Sequence, residues 1–168
     1  MTKPPLRPSL TANMGDGVRA IGFAFVWAFL IASAYFALTI GRGYAVSERS
    51  LVAVALFAAG SFLAAPIALG LAGIVAKYRP QPSARFAAMF VALTLTSAGI
   101  TALLFYLQFR IYYSQWHETH LSRGLLMEIL FTGASSGYIF VVGGVRPMLP
   151  VALPLILAVS FLYARRKP

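Results

Sequence analysis

The sequence predicts an all-α membrane protein, a four-helix transmembrane bundle with a broken, Gly/Pro-rich last third. Three observations carry that prediction. Four long apolar stretches fill most of the 168 residues; sixty per cent of the chain is hydrophobic and the mean hydropathy is +0.79. Only four acidic residues, Asp16, Glu48, Glu118 and Glu128, interrupt it. The fourteen basic residues sit mainly where the apolar runs stop. A helix of about 20 apolar residues crosses the hydrocarbon core of a bilayer, and each run reaches that length.

Residues 1–17 carry Pro4, Pro5, Pro8, Gly15 and Gly17 and read as a flexible tail. The first span covers 18–40. It starts like a signal peptide, with an apolar run over 21–31 and then Ala32-Ser33-Ala34. Apolar character continues to Ile40, however, so the segment reads as an uncleaved anchor. Gly41-Arg42-Gly43 and Ser47-Glu48-Arg49-Ser50 make a short loop, with Ser47 or Ser50 as N-cap of the second span, 51–76. Pro80 and Pro82 mark a turn over 77–83. The third span, 84–113, ends at a polar loop holding Trp116, His117, Glu118 and His120.

The last third admits two readings, because Gly133, Gly137, Gly143, Gly144, Pro147, Pro150 and Pro154 punctuate it. Either 121–133 is an interfacial or partly inserted helix before one kinked span over 135–163, or two short spans, 122–143 and 148–164, meet near Arg146. Charge favours the first. Four spans place nine Lys/Arg on one side: Lys3, Arg7, Arg19, Lys77, Arg79, Arg85, Arg165, Arg166 and Lys167. They leave Arg42, Arg49, Arg110 and Arg123 on the other. The expected organisation is a single transmembrane domain over 18–164, with a basic tail at 165–168. Both termini are cytoplasmic on this reading. The excess of Arg over Lys, with abundant Ala and Gly, fits a GC-rich bacterium and hence a bacterial inner membrane.

A formal charge of +10 would point to nucleic acid in a soluble chain. Here the basic clusters flank apolar runs, where they meet anionic lipid head groups, so lipid is the expected partner and nucleic acid is not. The absence of cysteine excludes disulfides, thiolate metal sites and a Cys nucleophile. No cofactor is expected.

Small residues recur every four positions in two spans: Ala20, Ala24, Ala28 and Ala32 in the first, Gly60, Ala64, Ala68 and Ala72 in the second. Such stripes let helix backbones approach closely in lipid, and they make these two spans expected neighbours. The third span carries a polar stripe of Thr94, Ser97, Thr101 and Gln108. Hydroxyls bonded back to their own helix explain most such stripes; the sharper reading is a groove for a polar substrate, with Gln108 too costly to face lipid.

Glu128 and Arg146 are charges within apolar sequence, where ionisable groups are costly and usually paired or functional. If 121–133 folds back, Glu128 neutralises Arg146, or Arg146 contacts an anion. Gly133-Ala134-Ser135-Ser136-Gly137 is small and polar enough for a re-entrant turn. His117 and His120, three apart around Glu118, are weak metal ligands without the HExxH spacing or a third partner. The expectation is a non-catalytic accessory or assembly subunit of a larger membrane complex, with a membrane-protein partner or a homo-oligomer. A transporter or channel-like protein for an anionic amphiphile comes second, a membrane-embedded metal-dependent enzyme third.

Overall fold

The computed structural model describes residues 10–43, 45–114 and 123–165. They form five helices: α1 (Leu10–Gly41), α2 (Glu48–Tyr78), α3 (Pro82–Ser114), α4 (Arg123–Ile139) and α5 (Arg146–Arg165). A π-helical turn, Phe140–Val145, fuses α4 and α5 into one continuous rod. Four segments are long and apolar enough to cross a membrane: Gly17–Gly41, Glu48–Tyr78, Pro82–Tyr112 and Gly124–Arg165. The protein is a multi-pass, all-α four-helix membrane bundle.

Local chemistry sets the helix ends. α1 stops at Gly41: the Arg42 N–H donates to Leu38 O at 3.2 Å, and Gly43 turns the chain away at φ +74°. Ser47 caps α2, accepting from the Ser50 N–H at 3.3 Å while the Ser50 hydroxyl accepts from the Ser47 N–H at 2.8 Å. Serine thus stands where a capping box more often has Glu. Pro82 opens α3, where its missing N–H costs nothing.

Successive spans run antiparallel, with α4 and α5 together as the fourth, and the ring closes α1–α2–α3–α5–α1. At the near end, where α3 starts and α5 finishes, Arg85 donates to Tyr163 O at 3.2 Å and lies over the Tyr163 ring. The α1–α2 connection marks the far end. Large apolar side chains such as Phe25, Phe29, Leu95, Phe131 and Leu162 point outward, while the inside combines small residues such as Ala64 and Ala68 with large ones such as Trp27, Phe57 and Leu93. The apolar exterior differs from that of a soluble protein, as lipid as apolar as Leu allows.

The stripe of Gly60, Ala64, Ala68 and Ala72 is buried. At its Gly60 end it faces α3 rather than α1: a Cβ on Gly60 would lie 2.9 Å from the Thr101 Cα, and the Thr96 hydroxyl reaches Ala64 O at 3.4 Å. On α1, Ala24 and Ala28 are buried and Ala20 and Ala32 half-buried. α1 meets α2 through aromatic pairs, Phe25–Phe62 at 4.9 Å and Tyr35–Phe57 at 4.4 Å. α1 and α2 are neighbours, but their two small-residue stripes do not face each other at Gly60.

The Gly/Pro-rich stretch breaks α-helical geometry without breaking the helix. Pro147 has no N–H to give the carbonyl four residues back, and its ring would clash with it. Widening the preceding turn relieves that conflict, and the Arg146 N–H accordingly reaches back five residues to Val141 O. Gly133–Gly137 is helical, so the fold contains no re-entrant turn there, and 123–133 continues into the span.

Adding a methyl at Gly60 must push α2 and α3 apart. Gly60→Ala should lower stability by about 1–3 kcal/mol, read from unfolding in mixed detergent and SDS micelles. Gly70→Ala, which meets open space, should not lower it.

Candidate functional site

The α3 polar stripe is divided among structural tasks. The Thr94 hydroxyl donates to Phe90 O at 2.7 Å on its own helix. Ser97 accepts from the indole N–H of Trp27 at 3.2 Å, and Trp27 is fully buried. That bond links α1 to α3 across the bundle. Thr101 is buried against Gly60, and Gln108 is exposed. Two of the four, Ser97 and Thr101, are thus engaged between helices, and Thr94 is satisfied by its own helix.

Glu128 pairs with Arg110 of α3 at 3.8 Å, with 28% of the Arg110 and 18% of the Glu128 side chain exposed. Arg146 lies eighteen residues further along the same rod, about 27 Å away at 1.5 Å per residue. Helix continuity thus corrects the expected Glu128–Arg146 pairing. Thr132 and Ser136 extend the inner face of α4 at four-residue intervals, both buried, and Ser136 donates to Gly133 O at 3.1 Å. Arg146 is exposed. It stands nineteen residues before Arg165, about 29 Å, which is the thickness of a hydrocarbon core. His117, Glu118 and His120 lie outside the described residues; among those described, no group of three or more metal-ligating side chains forms.

A cavity of about 260 Å³ opens at the far end, between the end of α1, the start of α2 and the π-helical turn. Tyr35, Thr39, Arg42, Ser47, Gly143 and Pro147 contribute to its wall. Several of these groups are already engaged. Thr39 donates to Tyr35 O at 2.9 Å, and Ser47 and Ser50 satisfy each other in the cap. Among the described residues no hydrogen-bond partner meets the Arg42 guanidinium or the Tyr35 hydroxyl, and stacking on Phe57 holds the tyrosine ring. Sequence reasoning counted Arg42 only as a loop charge and passed over Tyr35. A hundred residues separate these groups from Gly143 and Pro147, so no local motif announces the cavity. No protein-family model, curated protein or solved structure matches the chain.

The Trp27–Ser97 bond predicts a contrast within the stripe. Ser97→Ala leaves a buried indole N–H without its acceptor and should cost about 1–3 kcal/mol. Thr94→Ala removes a hydroxyl bonded to its own helix and should cost less than about 0.5 kcal/mol. The same detergent unfolding assay checks both.

Proposed function

We propose that this protein is a non-catalytic subunit of a larger membrane assembly, and that the outer face of α4 is its docking surface. The observation behind this reading is the unequal packing of α4. The other helices form a closed ring, whereas α4 packs chiefly on α3. Its outer face presents Leu126, Met127, Leu130, Phe131 and Tyr138, each more than half exposed. A seventeen-residue helix held by one neighbour and one largely buried ion pair gains packing from a second protein surface that lipid does not supply as well.

The proposed setting is a bacterial inner membrane with both termini cytoplasmic, supported by the excess of Lys and Arg that the sequence carries in its two tails and the 77–85 loop. The partner is a second membrane protein. A transport role through the α3 stripe has less support, because Ser97 and Thr101 are occupied within the bundle.

Extraction from native membranes in mild detergent, with sizing and mass spectrometry, tests the proposal. A stoichiometric partner should co-elute with the native chain and be lost from a Leu130→Ala/Phe131→Ala variant whose unfolding midpoint is unchanged. Elution of the native chain alone, or only with further copies of itself, would overturn it.

A further inference from the structure

The far-end cavity is independent of the docking reading and has its own chemistry. Its wall carries one charged group, Arg42, and among the described residues no carboxylate lines it. Glu48, the residue after Ser47, is exposed and outside the wall. Arg42 stands between the end of α1 and the left-handed Gly43, on the loop that delivers Ser47 to the start of α2. A guanidinium offers a planar fork of donors suited to a tetrahedral oxyanion, and a phenol adds one more. The α2 amino-terminus contributes a favourable field for negative charge. The rest of the wall includes Leu38 and Pro147, apolar surface beside the polar donors.

Size and depth narrow the ligand. At about 260 Å³ the cavity falls below the volume of sites for drug-sized molecules and suits a single head group. It sits at a helix end flanked by Arg42 and Arg49, the level at which lipid head groups meet a membrane protein. The π-helical turn forms one wall, and such turns frequently border functional sites.

We propose that this cavity binds a phosphate monoester, with the phosphate held by the Arg42 guanidinium and the Tyr35 hydroxyl. The phosphate belongs to a lipid head group or to a small soluble organophosphate; the shared chemistry is an anionic tetrahedral group beside a short apolar stem.

Native mass spectrometry of the full chain in detergent, titrated with dioleoyl phosphatidic acid, dioleoyl phosphatidylcholine and glycerol 3-phosphate, tests this. Saturable binding of phosphatidic acid or glycerol 3-phosphate is expected, with phosphatidylcholine much weaker. Arg42→Gln should weaken it about tenfold or more, and Arg42→Lys by less, since charge survives while the fork is lost. Arg79→Gln, at the near end, should leave it unchanged. Phosphatidic acid alone binding identifies a lipid source; comparable binding of glycerol 3-phosphate identifies a soluble one. Failure of both to saturate, equal binding of phosphatidylcholine, or equal weakening by Arg42→Gln and Arg79→Gln would overturn the proposal.

Discussion

Phe57 pressed against Gly144 is the contact on which the bundle depends. The Phe57 ring stacks on Tyr35 of α1 at 4.4 Å, meets Phe105 of α3 at 5.7 Å, and stacks on Phe140 of the π-helical turn at 6.1 Å. All four spans meet at that node. Phe105 and Phe140 also touch each other at 5.6 Å. Aromatic pairs at these separations contribute about 0.5–1.5 kcal/mol each beyond area burial. In a bilayer that matters more, because apolar burial between helices has little water to expel. The node closes only because Gly144 has no side chain: a Cβ there would lie 2.8 Å from the Phe57 Cζ.

Pro147 connects that node to the path of the last helix. A proline that forbids the ordinary hydrogen bond forces a wide turn just upstream, and the wide turn carries Phe140 and Gly144 inward. The same turn supplies Gly143 to the far-end cavity, whose other wall includes Tyr35, the ring stacked on Phe57. Packing node and cavity therefore share one backbone irregularity. Upstream of the turn, α4 is left on α3 with a polar inner face of Glu128, Thr132 and Ser136 and a wide apolar outer face.

The sequence made the spans legible because length, hydropathy and flanking charge are local properties. The helices begin and end within a few residues of the expected limits in the first three spans. The last helix begins near residue 124 rather than 135, because glycines at 133 and 137 weaken a helix without ending it. Four-residue spacing identified Ala64 and Ala68 as small, but periodicity does not name the helix they meet. Glu128 was matched with Arg146 because both stand out within apolar sequence. Its partner across space, Arg110, had been counted as an end-of-span charge. The cavity was illegible for the same reason: Tyr35 and Arg42 lie at the end of α1, and Gly143 and Pro147 about a hundred residues further on.

A double-mutant cycle at Phe57 and Gly144, followed by unfolding in mixed micelles, tests the central claim most directly. Gly144→Ala should destabilise the native bundle by about 1–3 kcal/mol, as overpacking at a filled site does. In a Phe57→Leu background, which lacks the Cζ atom, most of that cost should vanish, giving a coupling of at least about 1 kcal/mol. Equal costs in the two backgrounds, or no cost in the native one, would contradict the account.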